Sequence, residues 1–305
     1  PTLESIVVPC RPADKGALHV ALAQLAEQDP LINLRQDDVR QELFVSLYGE
    51  VQKEVIHATL ATDYSLDVTF RETTTICIER PVGVGAAVEV MGKAGNPFLA
   101  TVGLRIEPAP IGSGVELRIE VDVRSIPLFI YKAVEDFHDA IEDTVVKTLG
   151  QGVYGWQVTD CTVILSHSGY SSPGSTAGDF RKLTPLVVMD ALKRAGTRVC
   201  EPIHRFHLEI PADAFGPILP VLARLRAVLQ TSEPRGSSYL LVGEIPADQV
   251  HQLQQQLPKL THGEGVLEYT FDHYHPVGGT IPTRPRTDHN PLNRKEYLLH
   301  VLRRV

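Results

Sequence analysis

The apolar pattern changes period in the same order near both ends of the chain, and this repetition restricts the fold more than any single motif. Near the start, Glu4 to Val8 alternates as a strand. Ala13 to Glu27 then places Leu18, Ala21, Leu22 and Leu25 at helical spacing before Asp29-Pro30 stops it. Ile32 to Arg35 and Glu42 to Leu47 predict two more strands, the second with Leu43, Val45 and Leu47 on one face. Gly49 opens a helix with Val51, Val55 and Leu60 as its expected buried stripe, and Leu66 to Phe70 returns as a strand. Near the end, His204 to Ile210 predicts a strand and Pro211-Ala212-Asp213 opens a helix reaching about Gln230. A strand at Ser238 to Gly243, a turn at Gly243-Glu244-Ile245-Pro246, a helix at Ala247 to Leu257 and a strand at Gly265 to His275 follow. Both stretches have a split strand-helix-strand layout, which folds as a sheet with its helices on one face.

The stretch between them reads differently. Thr74 to Ile78, Val88 to Met91 and Ala100 to Ile106 predict strands, and Gly112-Ser113-Gly114 a turn. Val115, Leu117, Ile119, Val121 and Val123 alternate along one further strand, and one helix is expected from about Leu128 to Gly150. Tyr154-Gly155-Trp156 interrupts the chain before a strand at Val158 to Ser166. A loop of small residues, Ser168 to Thr176, then leads into a helix from Asp179 to Arg194, with Leu183, Leu186, Val187 and Ala191 along one side. Pro185 falls near its first turn or kinks it. Beyond Gly279 the chain is extended and Pro-rich, ending in a short helix from Asn293 to Arg303.

A chain of 305 residues is long enough for two or three domains. No apolar run approaches the length of a membrane span, and Pro1-Thr2-Leu3-Glu4 has no signal-peptide character. Without an initiator Met, it reads as a piece of something longer. The four cysteines, Cys10, Cys77, Cys161 and Cys200, are widely spaced, which fits a reducing cytoplasm and writes no zinc knuckle or disulfide framework. A formal net charge of −8 excludes capture of nucleic acid by bulk attraction. The tail has the other sign: Arg284, Arg286, Arg294, Lys295, Arg303 and Arg304 face only Asp288 and Glu296.

Motifs for chemistry are weak. His273 and His275 share a strand face, but no third metal ligand is evident, so no metal site is expected. Gly112-Ser113-Gly114 and Gly169-Tyr170-Ser171-Ser172-Pro173 both lack a nucleophile elbow, and no catalytic residue is assigned. There is no Gly-x-x-x-x-Gly-Lys-Ser/Thr loop, and Gly49-Glu50 places a carboxylate where a phosphate would sit. The informative segment is Tyr170 to Thr176, anchored by a strand before it and a helix after it. Its ring can stack on a base, its hydroxyls can bond phosphate or 2′-hydroxyl groups, and its proline is rigid, all of which suits RNA.

At these residues the chain resembles the C-terminal half of the ribosomal protection proteins, elongation factor G-like translational GTPases that confer tetracycline resistance. Asp29-Pro30-Leu31 and Ser46-Leu47-Tyr48-Gly49-Glu50-Val51-Gln52-Lys53-Glu54-Val55 look like the third domain of such a factor, and Glu79-Arg80-Pro81 like its junction with the fourth. Asn96 to Leu104, Pro110 to Gly114 and Gly152 to Cys161 look like the body of the fourth domain, and Tyr170 to Arg181 like its tip loop and following helix. Gly243-Glu244-Ile245-Pro246 resembles the fifth, and the basic end resembles the extra helix of the protection proteins. Instead of the His-Asp-containing loop of the ordinary elongation factor, the tip here carries Ser-Pro and Ser-Thr.

The resemblance implies an elongated α/β (α+β) chain of three modules. Residues 1–80 and 199–305 would be ferredoxin-like, flanking a ribosomal protein S5-like module over residues 81–198 with its unusual crossover. It implies a cytoplasmic monomer, with no membrane partner, that binds the ribosome through the 16S rRNA decoding region and through both subunits. The chain's own N-terminal GTPase domains, a separate half, would hold GTP and Mg. By position, Tyr170, Ser171, Ser172, Pro173, Gly174 and Ser175 form the functional loop. Gly95, Asn96 and Pro97 form a neighbouring tip loop, Val82 to Gly85 another, and Arg294, Lys295, Arg303 and Arg304 complete the rRNA-contacting set. The expected action is release of tetracycline from the decoding site by insertion of the 169–176 loop. The alternative is an elongation factor G paralogue with a translocation, recycling or stress role. Gly169 replaces a tyrosine, Gly174 a bulkier apolar residue, and Gly83 and Gly85 more polar ones, which implies a smaller, more flexible wedge.

Overall fold

The computed structural model describes residues 1–29, 32–37, 42–71, 73–93 and 95–302. The mixed α/β chain forms two compact units, Pro1–Cys77 with Glu201–His275, and Ile78–Cys200 with Pro276–Val305.

The first unit opens with β1 (Leu3–Pro9), α1 (Lys15–Gln28), β2 (Leu34–Asp37), β3 (Glu42–Leu47), α2 (Glu50–Asp63), β4 (Val68–Phe70) and β5 (Thr74–Thr75). The sheet runs β2-β3-β1-β4, antiparallel throughout, with β5 also on β1. Leu18, Leu22, Val45, Leu47, Ile56 and Leu60 fill its core. The expected stripe on α2 needs correction. Ile56 and Leu60 are buried, whereas Val51 is 72% and Val55 58% exposed. Residues four apart share a helix face, but Val55 and Leu60, five apart, diverge by about 140°.

The second unit contains β6 (Ile78–Pro81), β7 (Gly85–Glu89), β8 (Ala100–Pro108), β9 (Val115–Ile119), α3 (Leu128–Tyr131), α4 (Val134–Leu149), β10 (Gln157–Val158), β11 (Cys161–Tyr170) and α5 (Ala177–Ala195). The start of β12 (Thr197–Pro211) completes this stretch. The main sheet runs β7-β8-β11-β9, with β9 and β11 parallel and the other pairs antiparallel. Its core holds Leu104, Ile106, Val163 and Leu165 from the sheet and Phe137, Ile141, Phe180 and Val187 from α4 and α5. The expected long helix is broken at Lys132, which adopts φ 67° and caps α3. The alternating strand stops at Ile119, because the Asp122 side chain accepts the Arg124 N–H and bends the chain into a turn.

Beside this sheet, β6 pairs with β10 and with Thr197–Cys200. Glu79 lies here with 0% exposure. It accepts the backbone N–H groups of Val153 at 2.9 Å, Tyr154 at 2.8 Å and Trp156 at 3.1 Å, and the Thr197 hydroxyl at 2.7 Å. Burial raises its pKa, while the four donors act in the opposite direction.

Further along come α6 (Phe215–Arg224), β13 (Val228–Arg235), β14 (Ser238–Pro246), α7 (Val250–Leu260) and β15 (Val266–Pro276), with the strands ordered β13-β14-β12-β15. Phe206, Leu208, Ile218, Leu241 and Leu253 form their core. Two expectations fail. The helix after Pro211 ends at Arg224, and the chain reverses at Arg226 (φ 58°) into β13. Gly243 to Pro246 is strand, not turn: it pairs with Phe206 to Ile203, and residue 243 is glycine because a side chain there would sit 2.4 Å from the Val228 carbonyl.

His204 on β12 is 6% exposed, its Nε2 lies 3.2 Å from Thr2 Oγ1, and its ring meets those of Tyr269 and Phe271. Burial holds its pKa below the ordinary 6.5. The unfolded chain therefore takes up this proton first as pH falls. Urea titrations should show stability fully present above about pH 6.5 and lost as pH drops through that value toward the lower native pKa. His204→Phe should flatten that slope.

The remainder of the second unit, residues 276–302, lies along the 151–156 loop and α5. The Trp156 indole donates to Pro282 O at 2.8 Å, and the Arg284 guanidinium lies 4.8 Å over its ring. Arg284 N–H bonds Tyr154 O at 2.8 Å. Gly155, at φ 86°, is required here, since a Cβ would stand 1.8 Å from Arg284 O. The last helix, α8 (Arg294–Leu302), is fixed by Tyr297, whose hydroxyl donates to Lys182 O at 2.8 Å. Burial pushes that phenol up to about 12.

Candidate nucleic-acid interface

Three loops meet at one end of the β7-β8-β11-β9 sheet: 170–176 between β11 and α5, 95–99 before β8, and 122–133 around α3. Each has a local cause. Tyr170 pairs with Ala100, so β11 and β8 end together. Thr176 caps α5 reciprocally with Asp179, whose Oδ2 accepts the Thr176 N–H at 2.8 Å and its hydroxyl at 2.7 Å. Ser168 Oγ donates to Ser125 O at 2.9 Å, tying in the third loop.

The hairpin is rooted on both sides. Ser175 is 3% exposed, accepts the Ser171 N–H at 2.8 Å and donates to Leu99 O. Ser175 N–H returns to Ser171 O at 2.8 Å. Asp179 Oδ1 also accepts the Leu99 N–H at 3.3 Å. Asn96, buried, donates to Ala100 O at 3.0 Å and accepts the Phe98 N–H at 2.9 Å. A loop with its polar groups satisfied this way presents its outer residues in one geometry.

The outward residues are Ser172, Pro173, Gly174, Pro97, Leu99 and Phe129, none of them charged. Lys93, Arg124 and Lys132 are exposed on the flanking loops. Asp122 is exposed on the same loop as Arg124 and Lys132, so a neutral apex with a mixed, mainly cationic rim can press into stacked bases while its cations meet phosphate.

The sequence-derived residues divide accordingly. Ser172, Pro173, Gly174, Gly95 and Pro97 are exposed, and Ser171 is half-buried. Ser175 and Asn96 are buried braces. Tyr170 is half-buried, its ring 5.5 Å from that of Phe129, so the more exposed ring of the pair is Phe129, at 49%. Arg294 bonds Glu89 and Gly95, and Lys295 is exposed on α8. Arg303 and Arg304 lie outside the described residues, as do Pro30 and Leu31.

Val82 to Gly85 does not join the tip. Gly85 pairs with Ile106, at the end of β8 away from Ala100, and a Cβ there would meet Ala191 O at 2.2 Å. Gly85 thus permits close approach of α5 rather than loosening a wedge. Phe129, Leu99 and Asp179 went unrecognised in the sequence. Phe129 was hidden inside one expected helix, whereas Thr176-x-x-Asp179 was legible as a capping box.

Elsewhere in the first unit, ligand atoms of Glu244, Asp272 and His273 lie within 4.8 Å of one another. His273 and Arg205 hold the Asp272 carboxyl below its ordinary pKa, and Arg205 sits 3.0 Å from it, so one cation already occupies that cluster.

Residues 67–196 match the family model for elongation factor G, domain IV, and residues 198–285 match elongation factor G C-terminus. Over nearly its whole length the chain is homologous to those domains and to the tetracycline-resistance ribosomal protection proteins. It is 46% identical to the oxytetracycline resistance protein of Streptomyces rimosus and 37% to tetracycline resistance protein TetP of Clostridium perfringens, covering 100% of this chain and 46% of each relative. It is 41% identical to TetM of Streptomyces lividans, over 87% of this chain and 40% of that protein. The chain therefore spans less than half the length of these curated relatives. A crystal structure of a protein from Thermus thermophilus shares the fold, with TM-score 0.67 and 23% identity over 100% of this chain and 43% of that one. Among the described residues, no helix is long and apolar enough to cross a membrane.

Proposed function

We propose that this chain is the ribosome-contacting part of a tetracycline protection GTPase, and that its 169–176 hairpin enters the decoding region of the small subunit and dislodges the drug. The carrying observation is the uncharged Ser172-Pro173-Gly174 apex, exposed yet braced at its root by Ser175 and Asp179. Homology to tetracycline resistance proteins over the whole chain supports the same reading. GTP and Mg belong to a separate N-terminal half. In this reading residues 1–80, 81–198 and 199–305 are the working modules. The strand orders β2-β3-β1-β4 and β13-β14-β12-β15 support ferredoxin-like first and last modules. The parallel β9-β11 pair supports an S5-like middle one.

The test is release of labelled tetracycline from ribosomes by the full-length protein. Ser172→Ala combined with Pro173→Ala should slow release about 10-fold, the loss of roughly one good contact, without moving the thermal midpoint. Unchanged release would overturn the assignment. Ribosome binding with the drug retained, already in the unsubstituted protein, would favour a translocation, recycling or stress role.

A further inference from the structure

Arg294 stood out in the sequence as a tail cation available to RNA, but its guanidinium, 38% exposed, is already bonded within the protein. Nη1 donates to Glu89 Oε1 at 2.6 Å, and Nη2 donates to Glu89 Oε2 at 3.2 Å and to the Gly95 carbonyl. This two-pronged pairing neutralises the charge and fixes its direction. Glu89 is the last residue of β7, and Gly95, at φ 95°, begins the 95–99 loop. From Gly95 the contacts continue without a gap. Asn96 braces Phe98 and Ala100, and both the N–H and the carbonyl of Leu99 reach the hairpin root at Asp179 and Ser175.

We propose that Arg294 is a positioning residue. Through Glu89 and Gly95 it fixes the 95–99 loop from behind, and that loop in turn fixes the 170–176 hairpin. The inference rests on the reading that the hairpin is what enters the ribosome. It gives α8 a definite task, since the helix begins at Arg294 and Tyr297 secures it one turn later to the α5 backbone. Lys295, exposed beside it, serves as the control cation.

Glu89→Gln separates the two roles by sign. If Arg294 touched RNA, removing the neighbouring negative charge would leave ribosome binding equal or tighter. If Arg294 positions the loop, Glu89→Gln and Arg294→Ala should each weaken binding of the full-length protein about 10-fold. Amide hydrogen exchange across 95–99 and 171–176 should accelerate by about the same factor, while α4 amides stay unchanged. Arg294→Lys, which can still pair with Glu89, should recover most of the protection. Unaltered exchange in Arg294→Ala, or tighter binding by Glu89→Gln, would overturn the proposal. If the unsubstituted protein failed to bind ribosomes, the functional reading would fall, while the exchange measurement would still decide whether Arg294 holds the loop.

Discussion

Glu79→Ala is expected to lower the stability of the second unit by roughly 3–5 kcal/mol. The carboxylate is sealed from solvent and accepts three backbone N–H groups and one hydroxyl. Alanine leaves those donors buried, with no replacement acceptor from the side chain, and opens the space that presses on Gly152, where a Cβ would lie 2.6 Å from the carboxylate. Glu79→Gln should cost less, because its amide oxygen still accepts while its NH2 opposes other donors. Denaturant titration checks both. Equal stabilities for the Ala variant and the parent would mean that the carboxylate does not organise the 151–156 loop.

Phe180→Ala should be comparably costly, at about 3–5 kcal/mol. Its ring is fully buried in the first turn of α5, edge-on to Phe137 at 5.6 Å and to Tyr131 at 6.2 Å. The position makes it informative. Asp179, the preceding residue, closes the cap at Thr176, so a void beneath that turn loosens the root of the hairpin before it unfolds the unit. Phe180→Leu, which keeps most of the volume, should lose under about 1.5 kcal/mol. In the full-length protein, the Ala variant should lose drug release at temperatures where its sheet remains folded, as judged by far-ultraviolet circular dichroism. A variant that retained release until global unfolding would show that the cap tolerates the void.

Much of the site was legible because its signals are local. A strand ending near Ser166 and a helix beginning near Asp179 define an anchored loop from sequence alone. What the sequence concealed depends on partners distant along the chain. Arg294 reads as a free cation until Glu89, far upstream, is placed against it. Phe129 reads as helix interior until Lys132 breaks the helix and leaves the ring exposed beside Tyr170. The same holds for the fold. β13 has almost no buried face, so it lacks the alternation that marks a strand, and the apolar run before it prolonged the expected helix. Gly243 and Gly85 resemble turn or hinge residues in isolation, yet both are glycine because another backbone passes within a side chain's radius.

The molecule's single tryptophan is Trp156, and its position has a spectroscopic consequence. Its indole, 3% exposed, is capped by the Arg284 cation and bonded to Pro282. Intrinsic emission from this chain therefore reports attachment of the terminal segment that carries α8, and shifts in its wavelength and quenching follow the peeling of that segment separately from melting of the sheet.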